Sequence, residues 1–149
     1  MPLDPAHIGF ARDDGGRAAA GFKGSAGDCA TRAIAIATET DYREVYDALA
    51  GFRHALTGKP RSAREGIPRK AYDAYLELLG WEWTPTMRIG TGCTVHLRAD
   101  ELPAGRLVVR VTRHLTAVID GVVHDTADPS RDGTRCVYGY WSAPSGDGS

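Results

Sequence analysis

Late in the chain, Ile119-Asp120-Gly121-Val122 places an Asp-Gly pair between two β-branched runs. That pattern is the strongest short-range signal for a two-residue hairpin, because both turn positions need positive φ. The hairpin fixes a register. With Ile119 opposite Val122, Val118 pairs with Val123, Thr116 with Asp125, and His114 with Ala127. Alternation then puts His114, Thr116 and Val118 on one face together with Val123, Asp125 and Ala127. His114 and Asp125 become diagonal neighbours within side-chain reach, and His124 points the other way.

The rest of the second half has the same character. "WEWT", "CTVHL", "RLVVRVT", "HLTAVI", "VVHDT" and "CVYGYW" are short, rich in β-branched or aromatic residues, and divided by Gly, Pro and Asp. The first half is helical. Asp28 is an N-cap for a helix carrying Ala30, Ala33, Ile34 and Ala37 to about Thr38. Asp41 and Glu44 form a capping box opening a second helix with the stripe Tyr42, Val45, Tyr46, Leu49 and Phe52. Pro68 starts a third helix, through Ala71, Tyr72, Tyr75, Leu76 and Leu79, which stops at Gly80. Helices followed by antiparallel strands predict an α+β domain over residues 28–142. Residues 1–27 read as a flexible arm, 143–149 as a disordered tail, and "TGKPRSAREGIP" as a basic loop.

Composition excludes several classes of function. A net charge of −1 over 149 residues offers no global field for nucleic acid or an anionic membrane. No apolar run reaches the roughly 20 residues of a membrane span, and "MPLDPAHIGFARDDGG" has no signal-peptide pattern. Three cysteines without pairable spacing predict free thiols and a reducing, cytoplasmic setting. A zinc site from Cys29, Cys93, Cys136 and a histidine lacks any supporting ligand spacing, so no metal is expected. "GTGCTVHL" has neither a Walker nor a dinucleotide fingerprint, so no cofactor is expected either.

The chemistry concentrates elsewhere. In "GDCATRAIAIA", Cys29 falls in the first turn of an apolar helix, where the positive end of the helix dipole favours a thiolate. Cys93 and Cys136 read as buried, small hydrophobes, Cys136 in a core strand. His96 and His124 read as structural, and His7 and His54 belong to no constellation. A histidine held by a carboxylate is the base-and-orienter half of a catalytic triad, and Cys29 supplies the nucleophile.

The order "GDCATRA", then "RHLTAVIDGVVHDTADP", resembles the papain-like cysteine peptidase superfamily, with compact bacterial branches such as the double-glycine leader peptidases nearest in appearance. The resemblance implies a papain-like fold, with Cys29 as nucleophile, His114 as base and Asp125 as orienter. Asp128, in "DP", competes for the third role but has the opposite parity unless a bulge intervenes. The superfamily often places a Gln several residues before the nucleophile as an oxyanion donor, and "FKGSAGDC" has none. Ser25 and Lys23 are the nearby substitutes. The implied activity is hydrolysis of a peptide or amide substrate through an acyl-enzyme. Transglutaminase-like acyl transfer uses the same constellation, and a non-catalytic binding module fits the missing Gln.

Overall fold

A computed structural model describes residues 8–21, 29–57, 69–87, 90–131 and 133–144. The elements in chain order are β1 (Gly9–Arg12), α1 (Cys29–Thr38), α2 (Tyr42–Thr57), α3 (Arg69–Leu78), β2 (Glu82–Pro85), β3 (Arg106–Val111), β4 (His114–Ile119), β5 (Val122–Asp125) and β6 (Gly139–Ser142). The class is α+β. The expected N-cap Asp28, the helix-opening Pro68, the loop from 58 and the tail from 145 lie outside the described residues.

The strands form one sheet in the order β1-β5-β4-β3-β6-β2. Its pairs are antiparallel except at one edge, where β1 runs parallel to β5, so the sheet is mixed. This corrects two expectations at once. The sheet is not wholly antiparallel, and residues 9–12 of the supposed flexible arm are a paired strand. Gly9 pairs with Val122 and Arg12 with Asp125, while the Asp13 N–H extends the contact to the Asp125 carbonyl at 2.9 Å.

The hairpin has the register that the turn chemistry demands: Val118 opposite Val123 and Ile119 opposite Val122. Asp120 and Gly121 both adopt positive φ, at 48° and 79°. The Asp120 carboxylate accepts the Gly105 N–H at 2.7 Å, tying the turn to the start of β3.

Both faces of the sheet are covered. On one side α1 lies over β3, β4 and β5, with α2 packed on α1 and α3 on α2. Every residue of α1 from Ala30 to Ala37 is buried. A helix apolar nearly all round has no solvent face to offer, so it is enclosed. Ile34, fully buried, anchors it against Val45, Leu49, Leu76 and Ala117 in one core cluster. Truncating such a side chain to Ala typically costs about 2–5 kcal/mol. On the other side Leu107, Val109, Val111, Val118 and Val123 pack beneath Leu97 and Leu102. Leu115 and Ala117 belong to the helix side and Val118 to the opposite side, which is the alternation a strand requires. At Gly139 a Cβ would stand 2.4 Å from the Trp83 ring, so the β2–β6 edge closes only with glycine there.

The segment "CTVHL" is not a regular strand. It contributes one isolated bridge, His96 to Cys136, with the Leu97 N–H to the Arg135 carbonyl and the Val137 N–H to the Val95 carbonyl, both at 2.8 Å. The His96 N–H, which faces away from this bridge, donates to the Glu101 carboxylate at 3.0 Å. Cys136 is half-buried outside the regular strand β6, and it forms a disulfide with Cys93 across a Cα–Cα distance of 5.9 Å. The expectation of three free thiols is therefore corrected. The non-local bridge at His96 brings together two cysteines 43 positions apart, and the case for a reducing, cytoplasmic setting loses its premise. Among the described residues, no helix is long and apolar enough to cross a membrane.

Candidate active site

Cys29 is the first residue of α1 and the free cysteine of the chain. Its side chain is half-buried against the helix-side core. The His114 imidazole and the Leu115 backbone N–H both act on the sulfur and favour its charged form. Burial pushes the thiol pKa up, but the His114 hydrogen bond, the Leu115 N–H and the charges of His114 and Arg32 outweigh it. The net direction is downward from the ordinary thiol value.

His114 opens β4 and Asp125 closes β5, so both stand at the same end of the sheet. His114 Nε2 is 2.7 Å from Asp125 Oδ2. The pair shares the parity of Val118 and Val123, the face turned away from the helices, yet the ring still meets the thiol. This works because α1 begins where the strands end. With Nε2 engaged by the carboxylate, Nδ1 is the ring nitrogen left for the sulfur. Burial pulls the imidazole pKa down, whereas the hydrogen bonds to Asp125 and Cys29 and their charges raise it, to about 9 from 6.5.

Asp125 is 5% exposed. Its Oδ2 also accepts the Thr116 hydroxyl at 2.7 Å, and its Oδ1 accepts the Thr126 N–H at 2.7 Å. Burial pushes this carboxyl up, but the His114 and Thr116 hydrogen bonds, the imidazolium charge and the Thr126 N–H hold it below the usual carboxylate value. The carboxylate is thus saturated with donors, as a buried anion must be.

Two side chains with no sequence-based role complete the group. Arg32, one turn along α1 from Cys29, places Nη2 4.0 Å from Asp125 Oδ1 and donates from Nη1 to Thr126 Oγ1 at 3.3 Å. Its signal was a single charge in an otherwise apolar helix, at i+3 from the cysteine. Thr116 was placed opposite Asp125 by register, but its hydrogen bond was not anticipated.

The competing residues lie apart. Asp128 Oδ1 accepts the Ser130 N–H at 2.9 Å, a local turn contact. His124, on the opposite parity, has Nδ1 4.0 Å from Asp13 Oδ2. His96 Nδ1 faces Glu101 at 3.2 Å, and its Nε2 stands 3.6 Å from the disulfide-bonded Cys93 sulfur. Ser25 and Lys23 fall outside the described residues. No group of three His, Cys, Asp or Glu side chains suited to a metal ion occurs among the described residues.

A cleft of about 530 Å³ opens beside the pair, lined by His114 and Asp125 together with Arg113, Asp128, Arg131 and Arg135. The arrangement can hold a thiolate against an imidazolium and move one proton between sulfur and ring, with a cleft alongside for a second molecule. Comparison with family models, curated proteins and solved structures yields no match.

Proposed function

We propose that this chain is a thiol hydrolase of the papain-like type, cleaving an amide or peptide bond through an acyl-enzyme on Cys29. The observation that carries the reading is the 2.7 Å contact of His114 with Asp125 at one end of the sheet, where the same imidazole lowers the pKa of the Cys29 thiol at the start of α1. The thiolate attacks the substrate carbonyl carbon, and the C–N bond breaks as the imidazolium gives its proton to the leaving amine. Water, deprotonated by the now neutral His114, then attacks the thioester and releases the acid. Asp125 holds the ring in one orientation and favours its charged form. The Cys29 backbone N–H, at the start of α1 and so without an intrahelical partner, is the first donor to the oxyanion.

The test is an acid-quenched incubation with an activated acyl ester, followed by peptide mass mapping. The expected result is an acyl adduct on Cys29 that forms in the native chain, decays on standing, and is absent from Cys29→Ala. A reactive Cys29 that never carries an acyl group from any ester or peptide would instead indicate a binding module without turnover.

A further inference from the structure

We propose that the cleft beside His114 is a subsite for a carboxylate, so that the scissile bond is presented next to an acidic group. This rests on Cys29 being the nucleophile, and it adds what the neighbouring surface selects.

The cleft lining carries three guanidinium groups, Arg113, Arg131 and Arg135, against two carboxylates, Asp125 and Asp128. Asp125 is already committed to His114, Thr116 and the Thr126 N–H, with Arg32 beside it. Asp128 spends one oxygen on the Ser130 N–H. Among the described residues the cleft lining is therefore positive, on a chain whose net charge is −1.

The arginines differ in role. Arg135 is built in: Nη2 donates to the Thr112 carbonyl at 2.5 Å and Nη1 to the Pro129 carbonyl at 3.5 Å. Arg131 lines the same cleft, and its charge, after burial, pulls the Arg135 pKa down, so the two like charges oppose one another there. Such a pair is relieved by an anion between or beside them. Arg113 immediately precedes His114, is exposed, and has no carboxylate partner among the described residues. The same holds for Arg131. Both occupy positive-φ turn positions, at 56° and 51°, which fixes their backbone at the cleft. Forked guanidinium donors match the two oxygens of a carboxylate. The side chain of an Asp or Glu and a free chain terminus offer the same group.

The test compares two reagents that attack the same thiolate, neutral iodoacetamide and anionic iodoacetate. Their rate ratio on Cys29, referred to the ratio on glutathione, cancels any change in thiolate pKa. The expected ratio favours iodoacetate, and the double variant Arg113→Gln/Arg131→Gln should lower it about fivefold, the order expected for removing two charges that act through water-like surroundings. Half-molar salt should lower it similarly in the native chain. Cleavage of Glu- against Gln-containing peptides, with free or amidated ends, then tells a side-chain from a terminal carboxylate. A reactive Cys29 whose ratio is unchanged by the arginine substitutions overturns the subsite and leaves the nucleophile standing. A Cys29 no faster than glutathione with both reagents overturns the nucleophile and the subsite together.

Discussion

His114 and Asp125 occupy the same end of adjacent antiparallel strands, and their 2.7 Å contact from Nε2 to Oδ2 shares its acceptor oxygen with the Thr116 hydroxyl. Asp125 therefore does more than orient a ring. It gathers donors from β4, from the Thr126 backbone and from α1 through Arg32. It is the point at which the Cys29 helix and the hairpin are locked to one another.

Asp125→Asn replaces one of the two acceptor oxygens with an NH2 group. Turned one way, the amide nitrogen meets the Thr126 N–H; turned the other, it meets the protonated His114 ring and forces the Thr116 hydroxyl to reverse. The expected cost is about 1–3 kcal/mol of stability, with at least a tenfold slower alkylation of Cys29 at neutral pH as the imidazolium loses its counter-charge. Asp128→Asn keeps an oxygen for the Ser130 N–H and should leave both quantities nearly unchanged. Urea denaturation and iodoacetamide kinetics on both variants decide the matter. The reverse pattern would transfer the orienting role to Asp128.

Stability should depend on pH in a defined direction. The His114 pKa is raised to about 9 from 6.5, so its contribution is whole below 6.5 and is lost as the pH climbs through about 9. Asp125 is shifted down from 3.8, so its contribution is whole above 3.8 and is lost as the pH falls through its folded value. Between pH 6.5 and about 9 the His114 contribution should decline by about 3 kcal/mol at most. In the native chain Cys29 offsets this, because its pKa is lowered from 9.0 and its contribution grows over the same range. The decline is therefore exposed in Cys29→Ser. With His114→Gln added to that variant, it should be absent. Parallel curves for the two proteins would mean that the imidazolium gains nothing from the fold.

What the sequence disclosed follows from how local each feature is. The Asp120-Gly121 turn dictates its own register, so the placement of Thr116 and His114 relative to Asp125 was legible from a dozen residues. The strand at Gly9–Arg12 was not. "GFAR" shows no β-branched alternation, and it is a strand only because the edge of β5 offers it partners more than a hundred positions away. The Cys93–Cys136 pair was hidden for the same reason, being brought together by the bridge at His96. Arg32 was partly legible. An arginine enclosed in an apolar helix needs an anion, but which one could be known only once β5 was in place.

The disulfide makes a simple expectation about thiol number. Under non-reducing, denaturing conditions one thiol per chain should react with Ellman's reagent, and three after reduction. Mass mapping should show Cys93 and Cys136 in one linked peptide. Three reactive thiols without reductant would restore the free-cysteine reading and its reducing setting.

The last expectation separates the two histidines of the hairpin. At pH 7 an ordinary thiol with a pKa of about 8.5 is roughly 3% ionised. The pKa of Cys29 is lowered by His114, by the Leu115 N–H and by the charges of His114 and Arg32, so Cys29 should alkylate faster at pH 7 than a reference thiol. His114→Ala removes the largest of the lowering influences while burial, which raises the pKa, remains. The alkylation midpoint should move upward and the rate at pH 7 should fall about tenfold or more. His124 lies on the opposite parity, 4.0 Å from Asp13, so His124→Ala should leave the rate within about twofold. Stopped-flow or quenched alkylation from pH 5 to 10 on the three proteins gives the midpoints directly. Equal losses in both variants would show that Cys29 responds to the packing of the hairpin rather than to the imidazole beside it.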